Sequence, residues 1–562
     1  MPAKLVRNAS RMVSHSTPAP SQKKPQHGRA AAAAVASGIL LSKLIGLVRE
    51  RIFARYFGAS IAADAFKAAF RIPNMLQNLF GEGVLSASFI PVYARLNAEE
   101  RHEEATRAAT AIFAILVMVA SLLVLLGVLF APQLVDVIAY GFQGEKRLLT
   151  IQLVRILFPG AALLVLSAWC LGILNSHRRF LLSYTAPVVW NVALIATLVW
   201  QGRQLLGHGI INPSIAEPKL ALALAVGSVI GSALQFLVQV PAVLVLLRPL
   251  QWRATFRSEH VRTIVHNFFP VFISRGVVQL SAFVDQVLAS PLPNGAVAAL
   301  SYAQIINQLP VSLFGMAVSA AELPAMSAAL GTTEEIAAKL RGRLSIGLAQ
   351  IAWFVVPSAV AFIVLGDVVV AAIYRTGRFN AQDVIYVWSA LAGSGVGLLA
   401  GTSGRLYSSA FYALRDTRTP LNFAVIRVSL TLALGWVFSN PLPRMLGIDP
   451  RWGVAGLTFS AGLAAWLEYA LLRRAMHVRV GGVDFRTGRL LRMWAAALAA
   501  AALCFLLHRH LPIHASWWGR GSRAAILTAI AVLIPYAALY VAFALAMRVP
   551  IPGSLARRFK RA

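Results

Sequence analysis

Charged side chains stand inside apolar sequence near the beginning of the chain. Lys43 lies near the middle of an apolar run that begins at Ala30, and Arg49 follows six residues later on a neighbouring face of the same predicted helix. An ionisable group at bilayer depth costs about 2.5–3.5 kcal/mol, so it is expected to face a wet cavity or a charged partner. The pattern predicts a polar route through a membrane.

The next apolar segment carries a stripe of polar residues at steps of three or four. At about 100° per residue, this spacing keeps them on one side of a helix. The stripe consists of Asp64, Lys67, Arg71, Asn74, Asn78 and Glu82. Asp64 and Glu82 are either partners that the cations exchange as a cavity opens and closes, or permanent ion pairs that hold the first two helices together.

A matching cation lies in the second half of the chain. Arg275 occupies the place in the seventh apolar segment that Lys43 occupies in the first. Near mid-membrane, Lys43, Arg49 and Arg275 would line one cavity from both sides and give it a positive potential. Low-dielectric walls extend the reach of such charges, so the cavity is predicted to attract an anionic head group.

Each of these charges also has a structural interpretation. Arg49 could pair with Glu50 or Asp64 inside a helix bundle, and Arg275 could pair with Asp285. Asp285, near the outer end of the seventh segment, could instead bind a coupling cation such as sodium, and no other metal ligand is predicted. Neutralisation of Arg275 is the preferred interpretation of Asp285.

The composition is that of a membrane protein with many spans. Of the 562 residues, 58% are hydrophobic and only 13% are charged, and the mean hydropathy is +0.69. A soluble chain of this length needs far more polar surface. The formal charge of +31 does not indicate nucleic acid binding, because Lys and Arg sit in short runs between apolar segments. Cys170 and Cys504 both lie inside apolar segments, so no disulfide framework is predicted.

Fourteen apolar stretches are long enough to cross a bilayer. Their predicted centres are Leu44, Met75, Ala120, Ala162, Ala193, Ser232, Val277, Leu309, Val356, Gly397, Thr431, Ala461, Leu498 and Leu533. With a cytoplasmic N-terminus, the even-numbered connections and both tails hold about thirty Lys and Arg, against roughly thirteen in the odd-numbered connections. Both termini are therefore predicted to be cytoplasmic. Arg405 and Arg427 fall near the cytoplasmic ends of spans 10 and 11, where snorkelling to the interface would account for them.

An internal repeat divides the chain. SASFIP at 86–91 pairs with SAAELP at 319–324, and Ser42–Lys43 pairs with Ser274–Arg275, at an offset of about 232 residues. Six spans separate the copies, and an even number preserves orientation, which predicts parallel repeats with the substrate path between them. The predicted units are a disordered basic tail 1–29, an N-terminal lobe 30–250, a C-terminal lobe 251–478, a helix pair 479–550 and a basic tail 551–562.

Motifs of membrane enzymes are absent from the sequence. GxxxxGK[ST], HExxH and GxSxG do not occur in a fitting context, and the eleven His are scattered. An enzyme acting on polyprenyl phosphates would need a cluster of acids for a metal ion, and the sequence offers none. A transporter without a resident cofactor is predicted.

Two motifs carry a family resemblance. They are GLVRERIFARYFGASIAADAFKAAFRIPNMLQNLFGEGVLSASFIPVYARL at 46–96 and FYALRDTRTP at 411–420. The sequence resembles the MurJ, or MviN, family of bacterial lipid II flippases in the multidrug/oligosaccharidyl-lipid/polysaccharide exporter superfamily, over about residues 30–548. The resemblance implies an all-α polytopic protein with two six-helix lobes around a central cavity, alternating access, and two C-terminal helices that form a groove for a polyprenyl tail.

The resemblance also implies a cargo. This is undecaprenyl-diphosphate bearing the disaccharide-pentapeptide precursor of peptidoglycan, moved from the inner to the outer leaflet of the bacterial inner membrane. Membrane lipids and cell-wall synthesis proteins are the further partners expected. Membrane potential, Na⁺ or H⁺ is the driving force that the resemblance allows.

Site residues carry over position by position. Arg49 matches the cavity arginine of span 1, and Lys43 stands where many members have arginine. Asp64, Asn74 and Glu82 match motif positions of span 2.

Two positions depart from the family pattern. Gln77 occupies the place of a second-span arginine and Ile305 that of an arginine in span 8, and Arg275 and Lys67 are expected to compensate. Two rival functions therefore stay open. One is an exporter of another polyprenyl-linked glycan or of drugs, although a cavity rich in Lys and Arg argues against cationic drugs. The other is a transport-inactive membrane scaffold for cell-wall enzymes, which the uncharged Gln77 and Ile305 favour.

Overall fold

Apolar segments form helices throughout the part of the chain that the structure describes. The computed structural model describes residues 26–80, 84–85, 88–206, 213–247, 258–327, 332–483, 487–510 and 521–551. Apart from residues 26–29 and 551, the two predicted tails lie outside these ranges. The described residues contain no β-strand, so the all-α prediction is confirmed.

Nineteen α-helices are described here in chain order. They are α1 (Gln26–Phe57), α2 (Ile61–Phe80), α3 (Ile90–Ala98), α4 (His102–Leu129), α5 (Ala131–Ile138), α6 (Gly144–Ser176), α7 (Phe180–Leu206), α8 (Pro213–Leu246), α9 (Glu259–Ala289), α10 (Ala296–Pro310), α11 (Ala317–Ser327), α12 (Thr333–Val364), α13 (Gly366–Tyr374), α14 (Ala381–Ala413), α15 (Arg418–Ser439), α16 (Pro441–Met445), α17 (Gly453–Val480), α18 (Thr487–His510) and α19 (Ser522–Ala546). A π-helical segment, Val311–Met316, joins α10 to α11.

Every predicted span centre lies inside one of these helices. Within the described residues, eleven helical segments are long and apolar enough to cross a membrane. The three other predicted spans, α1, α2 and α9, fall outside that set, and these are the helices that carry Arg49, Asp64 and Asp285. The charges that predict a polar route are therefore concentrated on three helices that are too polar to face lipid all round.

The same breaks recur in the two halves of the chain. α2 is followed by the short helix α3, and α10 is followed by a π-helical segment and the short helix α11. The turns that end α6 and α14 both place an arginine at positive φ, Arg178 at 58° and Arg415 at 60°. These recurrences agree with an internal duplication. The lobe boundaries at 250 and 478 stay a prediction, and position 250 lies outside the described residues.

Small residues let the helices of each half approach closely. α1 packs against α7, α2 against α6, and α14 against α17. A Cβ added to Gly397 of α14 would lie 2.4 Å from the Cα of Gly462 on α17. Any side chain at either position would therefore clash with the other helix. Close backbone contact of this kind is a main source of helix association in a bilayer.

The C-terminal helix pair packs on the second half. α18 and α19 pack against each other, and they contact α12 and α13. The hydroxyl of Tyr536 donates to the Pro357 carbonyl at 2.7 Å and that of Tyr540 to the Trp353 carbonyl at 2.9 Å. Two buried hydroxyls thus fix α19 along α12.

Successive long helices alternate in direction, which gives the bundle two ends. At one end α1 ends and α2 begins, and α6, α10, α14 and α19 also begin there; we call it the Asp64 end. At the opposite end α4, α9 and α15 begin. In the orientation predicted from the Lys and Arg distribution, the Asp64 end is the outer one.

Candidate functional site

Arg49 and Lys67 share one carboxylate. The Nη2 atom of Arg49 lies 2.6 Å from Oε1 of Glu50, and Nζ of Lys67 lies 2.5 Å from Oε2 of the same residue. The side chain of Glu50 is only 6% exposed, whereas those of Lys67 and Arg49 are 10% and 18% exposed. Two cations on one acid leave a net positive charge between α1 and α2.

Aromatic rings hold these cations in place. The Arg49 guanidinium lies 4.9 Å from the ring centroid of Trp190 and donates to Oδ1 of Asn191 at 3.0 Å, so α7 fixes it. The Nζ of Lys67 lies 4.4 Å from the ring centroid of Phe53 and 5.3 Å from that of Tyr302 on α10. Lys67 therefore lies where the first half of the chain meets the second.

Asp64 does not pair with Arg49. Its carboxylate is fully buried and accepts from Nζ of Lys146 on α6 at 2.6 Å. It also accepts the backbone N–H groups of Gly295 and Ala298, each at 2.7 Å, at the start of α10. A helix N-terminus carries unsatisfied N–H groups and a partial positive charge, and a carboxylate satisfies both. Asp64 thus links the two halves instead of holding spans 1 and 2 together.

Further bonds close the Asp64 end. The Arg378 backbone N–H donates to the Arg55 carbonyl at 2.9 Å, and the Tyr302 hydroxyl donates to the Gly58 carbonyl at 3.0 Å. Arg378 also forms an ion pair with Glu217 of α8 at 2.6 Å. All of these contacts join the first half to the second. The structure is therefore closed at this end.

A partly exposed charged contact joins the halves at the opposite end. The Nε2 atom of His260, at the start of α9, lies 3.0 Å from Oε2 of Glu104 on α4. Glu104 is also paired with Arg101 at 2.7 Å. All three side chains are partly exposed, so this contact is weaker than the buried one at the Asp64 end.

Arg71 continues the polar stripe towards the second half. Its Nη1 donates to Oε1 of Gln304 on α10 at 3.3 Å, and its guanidinium lies 5.6 Å from the ring centroid of Phe283 on α9. It also interacts electrostatically with Asp285. Asp285 thus lies within electrostatic range of Arg71, and its predicted pairing with Arg275 stays a prediction because that side chain lies outside the described residues.

The other predicted site residues are either exposed or lie outside the described residues. Lys43 and Asn74 are exposed, and Lys43 does not join the Arg49 cluster. Glu82 and the side chains of Arg275 and Gln77 fall outside the described residues, so their roles stay predictions.

Lys146 is the functional candidate that sequence reasoning missed. It lies in the run GEKR at the start of a span, which has the composition of an ordinary polar flank. Its partner Asp64 is 82 positions away, and no periodicity connects the two.

The arrangement suits an anion. Among the residues that the structure describes, no group of three or more His, Cys, Asp and Glu could hold a metal ion. Arg49, Lys67 and Arg71 instead present cations on neighbouring turns of α1 and α2. Such a site can replace the water around a phosphate group.

Comparison with known proteins identifies the family. The family model described as "Lipid II flippase MurJ" matches residues 53–547. The chain belongs to the MurJ family. A lipid II flippase MurJ of Burkholderia cenocepacia is 32% identical over 514 residues, covering 89% of this chain and 94% of the relative. A probable lipid II flippase MurJ of Rhizobium tropici is 29% identical and covers 94% of this chain and 96% of the relative.

Solved structures share the fold. A MurJ described as "Lipid II flippase MurJ, inward closed conformation" superposes with a TM-score of 0.69 at 21% identity, covering 91% of this chain and 97% of that one. An inward-facing multidrug resistance MATE family transporter of the MOP superfamily superposes with a TM-score of 0.63 at 16% identity, over 80% of this chain and 98% of that one. The MurJ resemblance inferred from the two motifs is confirmed.

Proposed function

We propose that this MurJ family member flips lipid II from the inner to the outer leaflet of a bacterial inner membrane by alternating access. The family match across residues 53–547 carries the proposal. The chain acts as a transporter and not as an enzyme, and its cargo is the undecaprenyl-diphosphate-linked disaccharide-pentapeptide. Both termini lie in the cytoplasm, and cell-wall synthesis proteins are its further partners.

Charge is the main obstacle to moving this cargo. A diphosphate carries about two negative charges, and taking them from water into hydrocarbon is prohibitive unless cations replace the solvent. Arg49 and Lys67 supply such cations, and Glu50 balances one of their two charges when no cargo is bound. The diphosphate would compete with Glu50 for the same donors while the polyprenyl tail stays in the bilayer.

The predicted site residues take roles according to their positions. Lys43, which is exposed, and Arg275 attract the head group to the cavity. Asn74, also exposed, and Glu82 contact its uncharged part or its bound cations. Asp64 works differently, because it controls the closed end and does not contact the cargo.

Alternating access follows from the two ends. The bonds of Asp64 and Arg378 close the outer end, so cargo enters from the opposite end. Entry requires the contact between His260 and Glu104 to break. Release requires Asp64 to leave the N-terminus of α10 while that contact forms again. The membrane potential supplies about 2.3 kcal/mol per charge per 100 mV to this cycle, and coupling to Na⁺ or H⁺ would add to it.

Removal of one cation tests the proposal. Purified protein is reconstituted in vesicles with fluorescent lipid II, and flipping is followed by an added quencher. We expect Arg49→Ala to slow flipping at least tenfold, because a charge-assisted contact of about 1.5–3 kcal/mol is lost. Arg49→Lys should keep part of the activity. Arg203→Ala, which removes an exposed arginine in the last turn of α7, is the matched control.

The same experiment separates the rivals. A scaffold would tolerate Arg49→Ala, and its depletion from cells would not cause lipid II to accumulate on the cytoplasmic leaflet. An exporter of another glycan would leave labelled lipid II unflipped even in the wild-type protein. Either result would overturn the proposed function.

A further inference from the structure

A second charged cluster lies in the other half of the chain. Nη1 of Arg427 on α15 lies 3.2 Å from Oε2 of Glu468 on α17, and the two side chains are 38% and 13% exposed. Arg405 of α14 interacts electrostatically with both. We call Arg405, Arg427 and Glu468 the C-half cluster. Arg427 is paired with Glu468, and Arg405 adds a second positive charge near that pair.

Both arginines lie well inside their helices, and Arg427 contacts a neighbouring helix. At 1.5 Å per residue, Arg405 and Arg427 lie about 12–14 Å inside the ends of α14 and α15. The guanidinium of Arg427 is directed across to α17, where Glu468 accepts it, instead of along its own helix to the interface. Its pairing with Glu468 gives Arg427 a role that snorkelling alone does not supply. A half-buried guanidinium held by a deeper carboxylate is oriented for an incoming anion.

The C-half cluster connects to the polar stripe on α2. Arg427 interacts electrostatically with Asp285 of α9, and Asp285 interacts with Arg71. Measured from the Asp64 end, Arg71 lies about 15 Å along α2 and Arg427 about 18 Å along α15, so the two arginines are at similar depth. A row of alternating charges thus crosses from α2 over α9 to α15 and α17. The cluster therefore lies beside α9, the helix that contacts α2 of the first half.

We propose that Arg405 and Arg427 form a second binding site for the phosphate groups of the cargo, with Glu468 positioning the Arg427 guanidinium. This inference rests on the proposed function. The first site, at Arg49 and Lys67, lies in the first half of the chain. The second site, at Arg405 and Arg427, lies in the second half. When the halves tilt, the diphosphate keeps a cationic partner on each side and does not return to water.

Binding of a cargo lipid without its sugar and peptide tests this site. The probes are undecaprenyl diphosphate, which lacks sugar and peptide, and undecaprenol, which lacks phosphate, each titrated into the purified full chain. The paired variant Arg427→Gln/Glu468→Gln removes one charge of each sign, and Arg405→Gln removes the other cation. We expect each to weaken undecaprenyl diphosphate binding roughly ten- to hundredfold, and to leave undecaprenol binding unchanged.

Two further variants keep the test sound if a change disturbs folding. Arg427→Lys preserves the charge and should stay within several-fold of the wild-type affinity. Arg474→Gln removes an exposed arginine at the end of α17 and should bind as the wild type does. Size-exclusion profiles and thermal unfolding confirm that each variant is folded before its affinity is read.

The outcomes distinguish this inference from the proposed function. If Arg405→Gln and the paired variant bind and flip like the wild type while Arg49→Ala does not, the second site is overturned and the flippase stands. Loss of affinity for complete lipid II alone, with undecaprenyl diphosphate unaffected, also overturns it, because the contact would then be to the peptide. Failure of the wild-type chain to flip lipid II overturns the proposed function instead.

Discussion

Asp64 of α2 and Lys146 of α6 form a buried ion pair with 2.6 Å between Oδ2 and Nζ. The same carboxylate caps the first turn of α10 through the N–H groups of Gly295 and Ala298. Lys146 therefore neutralises an acid whose other bonds reach into the opposite half of the chain. The Asp64 side chain therefore both pairs with Lys146 and closes the Asp64 end.

Removing the Asp64 carboxylate should open this end. Asp64→Ala deletes two charge-assisted hydrogen bonds of about 1.5–3 kcal/mol each, which shifts the balance between closed and open forms by a factor of about 100 or more. Ala298 is fully buried, so a cysteine placed there reports the change. We expect a membrane-impermeant maleimide added from outside to label Ala298→Cys rapidly in the Asp64→Ala background and slowly in the wild-type background.

Lys146→Met supplies the comparison for this labelling experiment. It leaves the two backbone hydrogen bonds of Asp64 intact, so labelling at position 298 should rise less than in Asp64→Ala. Equal labelling in all three backgrounds would contradict the role of Asp64 in closure.

Glu50 should be the energetic centre of the Arg49 cluster. Glu50→Gln leaves Lys67 and Arg49 without their shared carboxylate, and breaking a buried ion pair in this way costs about 3–5 kcal/mol. We expect a clear fall in the thermal unfolding temperature of the purified protein. The double variant Glu50→Gln/Lys67→Met removes one charge of each sign and should recover most of the loss.

A double-mutant cycle of Glu50→Gln and Lys67→Met measures the coupling energy between the two side chains. Residues that share an ion-pair network show coupling energies of about 0.5–3 kcal/mol, whereas independent residues are additive. Losses from Glu50→Gln and Lys67→Met that simply add would mean that the short contact between the two side chains contributes nothing to stability.

The helices and the charged residues could be predicted from the sequence, because both depend on local pattern. An apolar run of about twenty residues specifies a span wherever it occurs. A cation inside such a run, as at Arg49, indicates a polar environment because placing a charge in lipid costs free energy. The pairing of Arg49 with Glu50 was among the stated alternatives because the two are adjacent in sequence.

Partners that are distant in the chain could not be predicted. Asp64 binds backbone N–H groups more than two hundred residues away, and backbone donors have no sequence signature. The pairing of Arg427 with Glu468 depends on how α15 meets α17, and hydropathy does not encode that geometry. The lobe division, Glu82 and Arg275 stay predictions for a simpler reason, since they depend on residues or side chains outside the described part of the chain.

Asp416 explains the motif FYALRDTRTP in structural terms. Its carboxylate accepts the backbone N–H groups of Arg418 and Thr419 at 3.0 Å each and pairs with Arg479 at 2.6 Å. It therefore caps α15, and Asp416→Ala should destabilise the protein by about 1–2 kcal/mol. Thermal unfolding at neutral pH measures this, and a shift no larger than that of an exposed control such as Arg474→Gln would contradict it.

The same carboxylate predicts a pH dependence. Hydrogen bonds from the backbone and hydroxyl of Thr419, together with Arg479, hold the pKa of Asp416 below its usual range. Its contribution is therefore present above the ordinary carboxyl pKa of about 4 and is lost as the pH falls through the lower, folded value. The difference in unfolding temperature between the wild type and Asp416→Ala should be constant from neutral pH to about 5 and shrink in stronger acid.

Arg51 ties the first helix to the C-terminal pair. Its Nη1 donates to the carbonyls of Ala372 and Ile373, at the end of α13, at 2.5 and 2.7 Å, and its Nη2 donates to the hydroxyl of Ser522, where α19 begins. Arg51 is two residues after Arg49 and so projects from roughly the opposite side of α1, about 200° away. We therefore expect a movement of α1 on binding at Arg49 to be transmitted to α13 and α19.

Arg51→Ala should therefore slow flipping without weakening binding. The guanidinium lies outside the Arg49 cluster, so affinity for undecaprenyl diphosphate should be unchanged, while amide hydrogen exchange in the first turns of α19 rises because the helix loses its anchor. Ser522→Ala removes only one of the three bonds and should give a smaller rise. Faster exchange with an unaltered flipping rate would show that the tie stabilises the C-terminal pair but transmits no motion, because in that case α1 moves independently of α19.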